Sequence, residues 1–147
     1  MSIVKQIDVV DYIGGHIDYG ISFDLSKNST GFSVFKDGKL RSYALQFEIK
    51  DTDSPYATGL RMVELQKAVA EVTDLDREFD IVCVEEAILG VNAKISSVAY
   101  GLNFFIDYMI ASGYLKTKNF MRINNSTWKG FLKKVTNTPT SKKGTDR

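Results

Sequence analysis

The sequence predicts an α/β domain: a mixed five-stranded sheet, three antiparallel strands followed by parallel ones, with helices packed on it. Three observations carry this. Residues 19–35, YGISFDLSKNSTGFSVF, read as two strands joined by a polar turn. Two later stretches repeat apolar residues at steps of three and four, the helical period. Between them stands a short apolar run, Ile81-Val82-Cys83-Val84, that suits a buried strand. A helix between two strands implies a crossover, hence a sheet with parallel pairs.

Residues 1–16 form an ambiguous leader. Ile3, Val4, Ile7, Val9, Val10 and Ile13 suit a strand or a short helix, and Gly14-Gly15 then interrupts the pattern. His16, the only histidine, follows that break, and a lone loop histidine is more often structural than a ligand. The opening hairpin spans 19–24 and 31–35, with residues 25–30 as its turn. Lys36-Asp37-Gly38-Lys39 is a tight turn with Asp-Gly at its centre. Residues 40–49 read as a third strand, with Leu45, Phe47 and Ile49 on one face. Ser54 is a candidate N-cap and Pro55 a first helical residue. The first helix runs to about residue 75 on a stripe of Met62, Leu65, Val69 and Val72. Residues 90–94 read as a loop and 95–112 as a second helix, its core stripe Ile95, Val98, Leu102, Phe105, Ile106 and Met109. Gly113 ends it. Residues 119–123 suit a last strand, Asn124-Asn125-Ser126-Thr127 a cap, and 128–135 a basic helix.

The 147 residues suffice for one domain with a real core. A hydrophobic content of 44% and a charged content of 25% are ordinary for a globular protein. The expected division is a leader, 1–16, and a single domain, 17–147. The net charge of +1 points to no partner, but its distribution does: Lys129, Lys133, Lys134, Lys142, Lys143 and Arg147 crowd the last twenty residues against one acid, Asp146. Such a tail suggests a polyanion, while a solvated terminus would look the same. Cys83, the only cysteine, excludes a disulfide framework and a thiolate metal cluster, and reads as a small core residue. No apolar run approaches the roughly 20 residues of a membrane span, and the N-terminus lacks a secretory apolar region. A cytoplasmic location is therefore expected.

Two acids emerge from apolar strands: Asp24 after the first and Glu85 after the run 81–84. If those strands are neighbours, the two carboxylates meet at one sheet edge, where they repel unless a cation sits between them. Mg²⁺ is typically held by one or two carboxylates, several waters and substrate phosphates. That arrangement suits metal-assisted attack of water on a phosphodiester. The plainer reading makes Asp24 a turn cap and Glu85 a solvated strand end like its neighbour Glu86. The second helix also carries Tyr100, Phe104 and Tyr108 at steps of four, with Gly101 beside them. A helix apolar on two sides needs two partners, within one domain or across a subunit interface.

These residues carry a resemblance. The hairpin SFDLSKNSTGFSVF, with Asp24, Thr30 and Gly31, is similar to the first motif of RuvC-type Holliday-junction resolvases, in the ribonuclease H-like superfamily. FDIVCVEE, with Glu85 in register, is similar to the second. The 90–97 loop with Asn92 and the stretch Asn125-Ser126-Thr127-Trp128-Lys129 also resemble the family. The resemblance covers about residues 19–143. It implies a ribonuclease H-like fold, a Mg²⁺- or Mn²⁺-dependent endonuclease that cuts branched DNA, and Asp24 and Glu85 as metal-binding and catalytic residues. Lys129 matches a lysine near the scissile phosphate, and Lys142 or Lys143 a second one. A homodimer is implied, and the stripe Tyr100, Gly101, Phe104 and Tyr108 suits its contact. DNA phosphates would meet Lys94, Lys129, Lys133, Lys134, Lys142 and Lys143. Ile88 lies where a junction-wedging residue is expected. Short length and divergent motifs suggest a phage or other mobile element, hence a host cytoplasm.

There is a departure. The family completes its metal site with two acids on a final helix, and here Asp146 is the one acid after Asp107. The chain as given is therefore expected to cut poorly or not at all, its C-terminal acidic motif absent. Two other readings remain. One is a junction-binding protein that is catalytically incomplete. The other is a fragment of an actin-like or sugar-kinase-type ATPase, whose phosphate hairpin Asp-x-Ser-x-x-Ser-Thr-Gly resembles; 147 residues are short for the two lobes that class needs.

Overall fold

The computed structural model describes residues 5–6, 17–50, 52, 54–85 and 93–123, with backbone alone for 5–6 and 93–96. The elements are β1 (Lys5–Gln6), β2 (Tyr19–Asp24), β3 (Ser29–Lys36), β4 (Lys39–Gln46), α1 (Ala57–Val72), β5 (Ile81–Glu85), α2 (Ala93–Ala111) and β6 (Asn119–Ile123). They form one sheet in the order β1-β6-β5-β2-β3-β4. The pairs β2–β3 and β3–β4 are antiparallel; β2–β5, β5–β6 and β1–β6 are parallel. The expected five strands are present in the expected mix. The sixth, β1, is two residues of the leader laid beside β6.

Period-two alternation builds β2. Tyr19, Ile21 and Phe23 face the core, while Ser22 and Asp24 are exposed. On β3, Thr30, Phe32 and Val34 are buried in the same way. Leu25 is buried too and belongs to the core rather than to a solvated turn. The Asp37-Gly38 turn takes φ of 49° and 85°, the left-handed pair that a two-residue hairpin requires. The third strand stops at Gln46, short of the expected 49, although Phe47 is still buried.

Helix α1 begins at Ala57, two residues beyond Pro55. Ser54 caps nothing inside the helix, since its Oγ accepts from Tyr56 N (3.1 Å) ahead of it. The helix ends at Val72 rather than near 75. There Thr73 Oγ1 donates to the Val69 carbonyl (2.6 Å), and the chain turns extended. Its buried positions are Ala57, Arg61, Leu65 and Val69. Met62 and Val72, expected on the stripe with Leu65 and Val69, are its half-buried margin. Arg61 is 1% exposed, and its Nη2 donates to the Ile49 carbonyl (3.1 Å), tying α1 to the segment after β4.

Helix α2 starts two residues earlier than expected, at Ala93, so Ala93 and Lys94 are helical. Val98, Leu102, Ile106 and Met109 are buried in the same core cluster as the inward residues of β2, β3 and β5. Gly113 (φ 84°) closes the helix. No described helix is long and apolar enough to cross a membrane.

The sheet end opposite the strand-end acids is clasped by polar groups. Asp80 Oδ2 accepts from the backbone N of Asp18 (2.8 Å) and of Tyr19 (3.0 Å), and Lys118 Nζ lies 3.5 Å from Oδ1. Burial raises the pKa of this carboxyl, but the two amides and Lys118 together outweigh it and leave it below its ordinary value of 3.8. A depressed acid stabilises the fold above its unfolded pKa and loses that contribution as pH falls through the folded value. Asp80→Asn is therefore expected to cost about 1–2 kcal/mol at neutral pH, and the difference from wild type should shrink in denaturant titrations below about pH 4. Tyr19 is held between Phe79, stacked at 4.2 Å, and the Arg77 guanidinium, 4.6 Å from its ring centre.

One buried group costs stability. Thr30 is 0% exposed and its Oγ1 has no hydrogen-bond partner among the described residues. Burying an unpaired hydroxyl costs roughly 1–3 kcal/mol, and Thr30→Val keeps the shape while removing the polar atom. This substitution is expected to stabilise the chain by about 1 kcal/mol, seen as a rise in midpoint at unchanged denaturant slope.

Candidate active site

Both acid-bearing strands run the same way, so both end at one edge. Along β2 and β5, Gly20 faces Ile81, Ser22 faces Cys83, and Phe23 faces Val84. The next residues on each strand are Asp24 and Glu85. Neighbouring strands lie about 4.8 Å apart, and parity puts both side chains on the face away from the helices. Both line one hollow of about 380 Å³, with Ser22, Gly31, Ser33, Ser42, Cys83 and Ile123 among its walls. In open α/β sheets, ligands bind beyond the carboxyl ends of parallel strands, and the hollow lies there. Asp24 is exposed and Glu85 half-buried.

Adjacent carboxylates with room for water suit a hard cation bound through one or two protein oxygens. Asp24 and Glu85 would hold it. Among the described residues, no group of three or more His, Cys, Asp or Glu side chains is placed to hold a metal. The described ligand set thus fits one ion completed by water and phosphate oxygens, and not a two-metal centre. Cys83 adds no ligand: burial pushes its thiol up to about 11, so it stays neutral at physiological pH.

Gly31 stands opposite Asp24. A Cβ there would approach the Asp24 Cβ only to 4.0 Å, so space alone does not demand glycine. Ser22, Ser33 and Ser42 form a row across β2, β3 and β4, with Ser33 and Ser42 hydroxyls 2.8 Å apart. Sequence reasoning missed this row, although alternation with Phe23, Phe32 and Tyr43 already set those serines on one face. It also missed Arg122 on β6, which donates to Asn103 Oδ1 (3.1 Å) and Asp107 Oδ1 (2.6 Å) on α2 and so locks the end of β6 to that helix.

The stripe on α2 divides. Phe104 and Tyr108 are 63% and 65% exposed, and Tyr100, half-buried, stacks near Phe104 with centroids 6.3 Å apart. Gly101, grouped with them from the sequence, turns the other way: a Cβ there would meet Thr58 Cγ2 of α1 at 3.2 Å. Its small side serves the close approach of the two helices inside the chain. Lys129, Lys133, Lys134, Lys142, Lys143, His16, Ile88, Asn92 and the side chain of Lys94 lie outside the described residues.

No protein-family model and no curated protein matches the chain. Solved structures do. RuvC from T. thermophilus, in complex with a Holliday junction substrate, superposes with a TM-score of 0.56 at 10% identity, over 80% of this chain and 70% of that one. The PPX-GPPA enzyme of Aquifex aeolicus gives a TM-score of 0.34 at 16% identity, over 74% of this chain and 36% of that one, too loose to bear on the fold. At 10% identity the likeness to RuvC is one of architecture: this chain has a ribonuclease H-like fold, with the mixed sheet and helix order of that protein.

Proposed function

We propose that this chain binds branched DNA as a homodimer and that Asp24 and Glu85 hold a Mg²⁺ or Mn²⁺ ion for phosphodiester hydrolysis, in the manner of a Holliday junction resolvase. One observation carries the reading: two carboxylates on neighbouring parallel strands share one hollow at the strands' carboxyl ends. The fold likeness to RuvC, a structure with junction DNA, agrees with it. When bound, the ion would polarise the phosphate and activate water. The chain's own part is to orient the ion with two acids and to meet phosphates with Lys94, Lys129, Lys133, Lys134, Lys142 and Lys143, Lys129 being the one that by resemblance matches a lysine near the scissile phosphate.

The described ligand set favours a graded outcome. Two acids suit one ion and slow turnover, so binding without rapid cutting is the companion reading. A gel-shift with a synthetic four-way junction in EDTA, followed by addition of Mg²⁺ or Mn²⁺, tests both. The junction should bind more tightly than linear duplex of equal length, and cutting should be slow. Equal affinity for duplex and junction would remove the branched-DNA assignment. Fast cutting abolished by Asp24→Asn would show that the site is complete.

The dimer contact is proposed at Tyr100, Phe104 and Tyr108. Phe104 and Tyr108, exposed one turn apart on one helix with half-buried Tyr100 beside them, suit an interface core. Phe104→Asp is expected to shift sedimentation from dimer to monomer while leaving the circular dichroism unchanged, because Phe104 lies outside the core cluster.

A further inference from the structure

Glu85 depends on β6 for its place. The ladder between β5 and β2 ends at the Phe23–Val84 pair, one residue short of Glu85. The ladder between β5 and β6 runs one pair further and sets Glu85 against Ile123. Beyond β6, the two residues of β1 pair only with Asn119 and Phe120. The outer side of Met121, Arg122 and Ile123 therefore has no described strand beside it. A sheet edge held from one side has few contacts to lose, and such segments open locally at the least cost. The neighbour on which Glu85 rests thus needs an anchor of its own.

Arg122 supplies one. It pairs with Val84, whose side chain belongs to the helix-covered core, and so stands on the face toward α2. Its guanidinium lies 5.2 Å from the ring centre of Phe120, two residues back on the same strand. Nη1 donates to Asn103 Oδ1 (3.1 Å) and Nη2 to Asp107 Oδ1 (2.6 Å), two acceptors one turn apart on α2. The first acceptor is preset: Asn103 is 1% exposed, and its Nδ2 donates to the Ala99 carbonyl (3.0 Å) within its own helix. Two bonds from one planar fork fix direction as well as distance. The residue so anchored is the immediate neighbour of Ile123, the register partner of Glu85.

We propose that Arg122 is a positioning residue for the metal site: by fastening the end of β6 to α2, it holds Glu85 where that carboxylate and Asp24 can meet one divalent ion. The inference deepens the proposed function and rests on its pair of acids. A small cation such as Mg²⁺ demands near-ideal placement of its oxygen ligands, so a strand end that drifts loses affinity before it loses its fold. Arg122 itself touches neither ion nor substrate. As a cation it opposes metal binding through charge alone, and that opposition gives the test its sign.

The affinity of the full chain for Mn²⁺ is measured by thermal shift in the wild type, Arg122→Met and Arg122→Lys. Were Arg122 acting by charge, methionine would tighten Mn²⁺ binding and lysine would leave it unchanged. Positioning predicts that both weaken it, by about tenfold or more, the scale on which ligand-orienting groups act, because an ammonium does not reproduce the two-pronged fork. Amide hydrogen exchange in EDTA gives a second readout that needs no metal. In both variants the amides of Val84, Glu85 and Ile123 should exchange at least about tenfold faster, while those of β2 and β3 keep their rates. Circular dichroism identifies a variant that has unfolded, and the other variant then decides. Unchanged or tighter Mn²⁺ binding in a folded variant, or unchanged exchange at these strand ends, overturns the proposal. Exchange that rises uniformly over the sheet overturns it too, since Arg122 would then hold the fold as a whole and not this end of it. A wild type without any Mn²⁺ shift overturns the metal pair and this proposal together, whereas a shift that survives both substitutions overturns this proposal alone.

Discussion

Raising salt from about 50 to about 200 mM is expected to weaken four-way-junction binding by roughly a thousandfold. Six lysines are assigned to phosphate: Lys94, Lys129, Lys133, Lys134, Lys142 and Lys143. Each neutralised phosphate releases close to one condensed counterion, so six contacts give a slope near −5 in log K against log salt. The chain's net charge of +1 cannot produce such a slope, and it must come from local clustering near the C-terminus. Substituting Lys142 and Lys143 together by alanine should flatten the slope by about 2 and leave the preference for branched over linear DNA largely intact, since phosphate contacts position without reading structure-specific features. Fluorescence anisotropy across a salt series measures both quantities. A slope near zero would remove the polyanion assignment altogether. An unchanged slope in the double variant would clear those two lysines and move the charge elsewhere.

The architecture was legible where side-chain period and burial coincide. Tyr19, Ile21 and Phe23 alternate with Gly20, Ser22 and Asp24, and the sheet uses that alternation directly. The run Ile81–Val84 was read as a buried strand with Cys83 as a small core residue, yet Cys83 is half-buried on the face bearing the hollow. A continuous apolar run does not say which side is covered. For β1 the leader's pattern left strand and short helix open; Lys5 and Gln6 are polar, and what decides for a strand is their tertiary pairing with Asn119 and Phe120. Arg61 was hidden. It lies four residues after Ala57 and four before Leu65, on the buried row of α1, where a pattern of apolar residues reads only an interruption. Gly101 was misplaced because proximity in sequence to an aromatic stripe says nothing of direction, and on a helix the next residue points about 100° away.

For the site, the sequence supplied two acids at two strand ends. Whether they meet depends on strand order, which no local pattern encodes. The crossover from β4 through α1 places β5 against β2, the first strand of the opening hairpin, rather than against β4. That single topological fact turns two unrelated strand ends into neighbours. The hydroxyl row of Ser22, Ser33 and Ser42 emerges from the same register and from nothing visible in any one strand.

The largest effect at the rim is expected from removing one carboxylate. In wild type, Mn²⁺ at about 100 times its dissociation constant should add roughly 2.7 kcal/mol of stability, a rise of about 5–10 °C in midpoint for a chain of this size. Asp24→Asn should abolish that rise, and Glu85→Gln should do the same, because each leaves a single anionic ligand. In EDTA the sign separates a metal site from a structural one. Asp24 is exposed at a strand end on the rim of the hollow it shares with Glu85, so neutralising it removes no packing. The metal-free Asp24→Asn chain should therefore be no less stable than wild type. Had Asp24 been a turn cap instead, its loss would cost about 1 kcal/mol with or without metal. Thermal scans of the wild type and both variants, with and without Mn²⁺, distinguish the cases. Any slow junction cutting by the wild type should fall by at least about a hundredfold in Asp24→Asn, since a polarising ion is worth several kcal/mol in the transition state. A variant that keeps both the metal-induced shift and the cutting would place the chemistry outside the pair Asp24 and Glu85.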